Sequence, residues 1–104
     1  MRKAKIFVNG VEAAILTEIR KGRDYMIEYL DGYGGPEISR TMMPDRKVYR
    51  FDEFPPFFDG LLSEGIQLDG LLSINKIDRD DCFSQLMAVG NDMVGAVTVA
   101  EIKG

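Results

Sequence analysis

The sequence predicts an α+β protein: a small antiparallel β meander or barrel-like sheet, with two or three short helices in the C-terminal half. Three observations lead to this prediction. Short runs of β-branched and aromatic residues alternate with turn residues as far as residue 52. The pair Asn9-Gly10 separates two of these runs, which is typical of a tight hairpin. After Pro56, apolar residues recur at helical spacing instead.

The first thirty residues are predicted to form three antiparallel strands. A type I′ turn needs positive φ at both central residues, and Asn9-Gly10 tolerates this conformation. Lys21-Gly22 is expected to make the second turn. The alternation of the middle strand is imperfect, whereas the third strand places its apolar residues on one face. The predicted strands are Lys3–Val8, Val11–Ile19 and Asp24–Leu30. The predicted inward face of the third strand consists of Tyr25, Ile27 and Tyr29.

Residues 31–51 are predicted to contain a glycine-rich loop and two further strands. The loop Asp31–Pro36 has three glycines, but a phosphate cradle needs a helix N-terminus directly after them. Pro36 and a strand-like segment follow instead, so we reject a phosphate site. Ile38–Met43 is predicted to be a short edge strand that Pro44 ends. Arg46–Phe51 alternates again and is predicted to be the next strand.

The stretch Glu53–Gly65 connects the predicted sheet to the predicted helices. Pro55-Pro56 excludes a central strand or a helix interior, but proline is favoured in the first turn of a helix. A short helix is therefore predicted from Pro56, and Gly65 is expected to end it. Its apolar side chains lie on one side, which we expect to pack as core on the sheet. These side chains are Phe57, Phe58, Leu61 and Leu62.

The remaining residues are predicted to form helices and a last strand. Ile66–Ile74 is ambiguous, because its apolar spacing suggests a helix that Gly70 weakens by about 1 kcal/mol relative to alanine. Asn75–Val89 is a clearer helix, with Asp78 as its N-cap and Gly90 as its C′ residue. Its predicted buried stripe consists of Cys82, Phe83, Leu86 and Met87. The predicted last strand is Val94–Ile102.

Length and composition indicate a single soluble domain spanning residues 1–104. Hydrophobic residues make up 45% and charged residues 29% of the chain, which is typical of a globular protein. No apolar run approaches the roughly 20 residues of a membrane-spanning helix. The N-terminus lacks the pattern of a signal peptide, and the single cysteine fits a reducing compartment. We therefore expect a cytoplasmic protein.

The net charge of −4 is unevenly distributed. Residues 1–50 carry ten basic and seven acidic side chains, and residues 51–104 carry three and ten. The acidic second part is expected to meet a basic partner surface, whereas the overall sign argues against general nucleic-acid binding. Four basic residues interleave with aromatic ones in a way that a nucleic-acid surface also shows, but solvated strand faces carry such charges routinely. These residues are Arg40, Arg46, Lys47 and Arg50.

The side-chain inventory favours a binding module without a cofactor over an enzyme. The chain has no histidine, and one cysteine is too few for the known zinc ligand patterns. Asp78–Cys82 begins like a calcium loop, but Phe83 stands where such a loop requires glycine, so helix capping is the better interpretation. Cys82 lies on an apolar stripe and is predicted to be a small core residue rather than a nucleophile.

Two segments resemble the N-terminal subdomain of HipA-type serine/threonine kinases, the toxin kinases of bacterial toxin–antitoxin systems. Phe57–Gly65 (FFDGLLSEG) is similar to the family's FFdnLLPeG, and Phe83–Val97 is similar to fdLLaeiGrDsvGAv. The hairpin at Asn9-Gly10 and the segment Ile38–Pro44, similar to lSlslP, extend the resemblance over almost the whole chain. The resemblance implies a small, mostly β unit that packs on the N-lobe of the kinase ahead of its catalytic core.

The 104 residues contain no phosphate-loop lysine, catalytic-loop aspartate or metal-binding aspartate motif of a kinase. A free-standing copy of this subdomain resembles the HipS antitoxins of tripartite HipBST systems. There HipS binds and restrains the truncated kinase HipT, and HipB is the DNA-binding component. The resemblance implies a separately encoded HipA/HipT-type kinase as the partner, with a HipB-like protein reached through the complex. The alternative is a structural subunit that completes the N-lobe of such a kinase without inhibiting it.

The resemblance also implies where the kinase is contacted. Glu64, Gly65 and Ile66 are expected to form the turn presented to the kinase. Ser63 is a candidate phosphoacceptor, and the alternative is that it serves only as a turn residue at the helix C-terminus. The family usually has proline at position 63 and commonly an aromatic residue at position 66. If a bulky residue at position 66 plugs the kinase cleft, Ile66 fills that cleft less well.

Overall fold

The computed structural model describes residues 1–64, 81–90 and 96–102 of the chain. These residues form five strands and two helices. The strands are β1 (Arg2–Val8), β2 (Val11–Arg20), β3 (Arg23–Tyr29), β4 (Val48–Phe51) and β5 (Val97–Ile102). The helices are α1 (Pro56–Glu64) and α2 (Cys82–Val89). Neither is long and apolar enough to cross a membrane, and this holds for every helix in the described part of the chain.

The five described strands form one sheet in the order β4-β3-β2-β1-β5. Each neighbouring pair is antiparallel. The first four strands are a meander, and the last strand returns to lie beside the first. The predicted α+β class, with an antiparallel meander followed by short helices, is confirmed.

The β1–β2 hairpin forms as the sequence predicts, with one irregularity. Asn9 and Gly10 have φ values of 52° and 80°, as a two-residue turn of the predicted type requires. The pairing register shifts between Ile6 and Phe7, so that Ile6 lies opposite Ala14 and Phe7 opposite Glu12. Ala13 is the extra residue of a bulge, and both alanines are buried. The bulge explains the imperfect alternation of β2.

The core lies between the inward face of the sheet and the two helices. Tyr25, Ile27 and Tyr29 are buried on β3, as predicted. Helix α1 contacts α2, and α2 contacts β5. The core residues of the strands are Ala4, Ile6, Val8, Ala13, Ala14, Leu16, Tyr25, Ile27, Tyr29, Val97 and Val99. The helices add Phe58, Leu62, Phe83 and Leu86, and the loop before β4 adds Ile38 and Met42.

The segment Ile38–Met43 is a tight turn, so the predicted edge strand is wrong. Ser39 and Met42 form an isolated bridge, in which the Met42 amide donates to the Ser39 carbonyl at 3.0 Å. Ile38 and Met42 are buried at the two ends of the turn. The Tyr29 hydroxyl bonds the backbone of both residues. This tertiary contact overrides the local β-propensity of the segment.

Helix α2 differs from the prediction at both ends. Its N-cap is Asp81 and not Asp78, because the Asp81 backbone (φ −94°, ψ 76°) is not helical and its side chain accepts from the Ser84 amide. Gly90 is the C-cap in a right-handed conformation (φ −55°, ψ −31°), so the predicted left-handed C′ residue is wrong. Gly90 is needed for a different reason. An added Cβ would lie 2.2 Å from the Val99 carbonyl oxygen on β5. The prediction for Ile66–Ile74 falls outside the described residues.

Candidate functional site

Helix α1 carries the first two residues of the predicted contact segment. It begins at Pro56, as predicted, and the Pro55 carbonyl accepts from the Phe58 and Asp59 amides at 3.1 Å each. Phe58 and Leu62 lie one turn apart and are buried in the core. The Phe57 and Phe58 rings pack edge to face, with centroids 5.1 Å apart. The inner face of the helix is thus anchored along its length.

The predicted contact segment begins at the C-terminal end of α1. Ser63 and Glu64 are its last two residues, directly after the buried Leu62. The described part of α1 reaches Glu64, and the prediction that Gly65 ends the helix falls outside the described residues. Gly65 and Ile66 lie outside the described residues. The proposed roles of all four residues stay predictions.

A polar cluster that the sequence analysis missed fixes the start of α2. The Arg2 guanidinium donates to Asp81 Oδ1 at 2.9 Å, to Ser84 Oγ at 2.9 Å and to Glu18 Oε1 at 2.6 Å. The Ser84 hydroxyl donates to Asp81 Oδ2 at 2.8 Å. The guanidinium also lies over the Phe83 ring, 4.8 Å from its centroid. One arginine at the beginning of the chain therefore joins β1 and β2 to the cap of a helix 79 residues later.

Glu18 completes this cluster on the inward side of the sheet. It is only 3% exposed, and its second oxygen accepts from the Tyr25 hydroxyl at 2.8 Å and the Gly22 amide at 3.2 Å. Burial acts to raise the pKa of Glu18, but the hydrogen bonds from Arg2, Tyr25 and Gly22 outweigh it and lower the pKa. For Tyr25, burial and the hydrogen bond to Glu18 raise the pKa. An ionised carboxylate is thus fully paired inside the fold.

Asp81 is held ionised in the same way. Burial acts to raise its pKa, but the hydrogen bonds from Arg2 and Ser84 outweigh this effect and lower the pKa to about 2. Every charged group of the cluster has an opposite charge within bonding distance. The arrangement holds helix and sheet together and leaves no group poised for proton transfer. The alternation of β2 could have predicted this cluster, because Glu18 follows Ala14 and Leu16 on the inward-facing side of the strand.

Three tyrosines fix the long loop between β3 and β4. The Tyr29 hydroxyl accepts from the Ile38 amide at 2.9 Å and donates to the Met42 carbonyl. The Tyr33 hydroxyl donates to the Pro36 carbonyl at 2.6 Å, and the Tyr49 hydroxyl donates to the Met43 carbonyl at 2.7 Å. Burial raises the pKa of Tyr29, so this hydroxyl stays protonated and can donate. These hydrogen bonds therefore fix the loop at several points between β3 and β4.

The four basic residues singled out in the sequence are all exposed, and two of them contact other side chains. The Lys47 ammonium pairs with Asp31 and approaches Glu28 at 4.0 Å. The Arg46 guanidinium lies over the Tyr49 ring at 5.3 Å. Arg40 and Arg50 are exposed. Cys82 is half-buried against the core, and within the described ranges no cluster of acidic residues and cysteine is arranged to hold a metal ion.

Comparison with known proteins gives the class of this fold. The model of the HipA N-terminal domain family matches residues 4–100. An uncharacterised protein of Haemophilus influenzae is 28% identical over 103 residues, which cover 99% of this chain and 95% of that protein. A solved structure, the N-terminal domain of HipA toxin, is similar with a TM-score of 0.76 at 24% identity. That match covers 99% of this chain and 94% of the other, and it shows the shared fold.

The chain therefore belongs to the HipA N-terminal domain family. This family is associated with HipA-type toxin–antitoxin systems. The residues matched by the family model include α1, α2 and most of β1 and β5.

Proposed function

We propose that this protein is a HipS-like antitoxin that binds and restrains a separately encoded HipA/HipT-type serine/threonine kinase in the cytoplasm. The observation that carries the proposal is the size of the Haemophilus influenzae relative. This chain covers 95% of that protein, so a protein hardly longer than this domain occurs in Haemophilus influenzae. A domain that supplies no kinase chemistry of its own acts through what it binds. A HipB-like DNA-binding protein joins the complex through the kinase.

The fold supports a contact at the end of α1. Phe58 and Leu62 anchor the helix in the core, and Ser63 and Glu64 follow Leu62 directly in α1. A rigid anchor lowers the entropic cost of presenting the residues that follow it. In this proposal Ser63, Glu64, Gly65 and Ile66 contact the partner.

The proposal is tested by co-expression with the HipA-type kinase encoded beside this protein. We expect the two proteins to co-purify, and we expect the growth arrest caused by the kinase to be relieved. Co-purification without relief would instead support the alternative, a subunit that completes the N-lobe of the kinase without inhibiting it. Absence of any complex would contradict both functions.

The contact segment makes a sharper prediction at Ile66. Ile66→Trp should strengthen inhibition of the kinase at least about fivefold, because a large aromatic side chain buries more apolar surface in a cleft. Ile66→Asp should weaken inhibition by a similar factor. The measurement is the concentration of each variant that halves kinase autophosphorylation.

Met43 provides the matched control for the two Ile66 variants. It is also a large apolar side chain, 44% exposed, and it lies outside the contact segment. Met43→Trp and Met43→Asp should leave inhibition unchanged. Equal effects at positions 43 and 66 would place the kinase contact elsewhere on the domain.

A further inference from the structure

A groove of about 480 Å³ lies between the tip of the β1–β2 hairpin and the glycine-rich loop. None of its lining residues belongs to α1, since the lining comes from residues 8–12 and 30–36. Its apolar lining includes Val8, Val11 and Leu30. Val11 is 60% exposed, which is unusual for a large apolar residue in a strand.

Hydrogen bonds and ring stacking within the chain fix the glycine-rich loop at one side of the groove. The Tyr33 amide donates to the Leu30 carbonyl at 3.1 Å, and the Leu30 amide donates to the Ala13 carbonyl at 2.9 Å. The Tyr33 ring stacks on Tyr29, with centroids 5.8 Å apart and an interplanar angle of 19°. A partner that binds here does not have to order the loop first, so little entropy is lost on binding.

The charged groups of the groove are both acidic. Glu12 and Asp31 line it, and none of the described lining residues is basic. Lys5 donates to Oε1 of Glu12 at 2.9 Å, and Lys47 donates to Oδ1 of Asp31. The second carboxylate oxygen of each residue has no hydrogen-bond partner among residues 1–64, 81–90 and 96–102. Lys47 also lowers the pKa of Asp31, which keeps this carboxylate ionised.

We propose that this groove docks an arginine side chain from a segment of a partner protein. The aliphatic stem packs on Val11 and Leu30, and the guanidinium donates to the second oxygens of Glu12 and Asp31. Arginine fits better than lysine, because its planar fork can reach two acceptors and can pack against an aromatic ring such as Tyr33. The occupant complements the apolar surface of the groove and the second acceptor oxygens of its two carboxylates. No residue of this docking site belongs to the proposed kinase contact.

The probe is the peptide acetyl-Gly-Arg-Gly-amide, titrated into the ¹⁵N-labelled full chain and followed by amide chemical shifts. We expect saturable shifts at Glu12, Asp31 and Gly34. The same peptide with citrulline keeps the shape and loses the charge, and it should bind at least about tenfold more weakly. Equal binding of the citrulline peptide, or no saturable shift with arginine, would overturn the proposal. Free arginine binding as tightly as the peptide would also overturn it, because the site would then take a small molecule.

Substitutions in the groove give an independent test with the same peptide. Glu12→Gln and Asp31→Asn should each weaken binding at least about threefold. Val11→Lys should abolish it, because Val11 lines the groove, is 60% exposed, and would place a positive charge beside the guanidinium. Glu28→Gln is the matched control, since Glu28 approaches the same Lys47 but does not line the groove. Unchanged binding by Val11→Lys in a folded protein would contradict the proposal.

Discussion

Gly90 sits where α2 meets the outer edge of β5, and there is no room for a side chain between them. A Cβ at this position would lie 2.2 Å from the Val99 carbonyl oxygen, a backbone atom that cannot rotate away. The backbone of Gly90 is in the ordinary helical region, so alanine would meet no conformational strain. Close packing of a helix end on a strand is therefore the reason for this glycine.

We predict that Gly90→Ala lowers the free energy of unfolding by about 2 kcal/mol or more, because helix and strand must separate. Gly60→Ala is the matched control. Gly60 lies inside α1, and an added Cβ meets nothing within 4 Å. This substitution should stabilise the protein by about 0.5–1 kcal/mol through helix propensity. Urea unfolding measures both changes. A loss at Gly90 no larger than the change at Gly60 would contradict the packing argument.

At the scale of elements, the loop before β4 depends on one buried hydroxyl. The Tyr29 hydroxyl accepts a hydrogen bond from the Ile38 amide and donates one to the Met42 carbonyl. We predict that Tyr29→Phe costs about 2 kcal/mol of unfolding free energy, since two buried backbone groups lose their partner. Hydrogen exchange at the Ile38 amide should accelerate, because its acceptor is removed.

Tyr49→Phe is the control for this prediction. It removes a hydroxyl that also bonds a carbonyl of the same loop, but at an exposed position where water replaces it. The expected cost is below about 1 kcal/mol. Equal costs for the two variants, or unchanged exchange at Ile38, would contradict the role assigned to Tyr29.

Elements set by local chemistry were predictable from the sequence. Asn9-Gly10 specifies its hairpin, and Pro56 with Phe58 and Leu62 specifies the start and inner face of α1. Ile38–Met43 has the composition of a strand, yet it forms a turn because Tyr29 holds both ends. Such a contact joins residues that no local pattern relates, so propensity alone gives the wrong element.

At the scale of the whole molecule, contacts between distant parts of the chain determine features that local sequence patterns leave open, such as the N-cap of α2. Asp78 and Asp81 are equally good caps by local rules, but Asp81 is the N-cap and accepts from the Arg2 guanidinium. The predicted contact segment rests only on the family motif around Glu64-Gly65, and it stays a prediction. No charge pattern or spacing distinguishes those residues from an ordinary helix end.

The pairing of Asp81 with Arg2 also determines how the whole fold responds to acid. The folded-state pKa of Asp81 is about 2, below the ordinary value of 3.8. A lowered carboxyl pKa stabilises the fold above the unfolded-state pKa, and this stabilisation is lost as pH falls through the folded-state pKa. The shift corresponds to about 2 kcal/mol at neutral pH. Glu18 adds a contribution of the same sign, because its pKa is also lowered.

We predict that Asp81→Asn is about 2 kcal/mol less stable than the parent near pH 7, and that this difference shrinks as pH falls from about 4 to about 2. Asparagine caps a helix as well as aspartate does, so the substitution isolates the ionic contribution. Urea unfolding over this pH range measures the effect. Asp45→Asn removes an exposed carboxylate outside the cluster and should leave the pH profile unchanged. A difference between Asp81→Asn and the parent that is the same near pH 2 as near pH 7 would show that Arg2 does not stabilise the fold through the charge of Asp81.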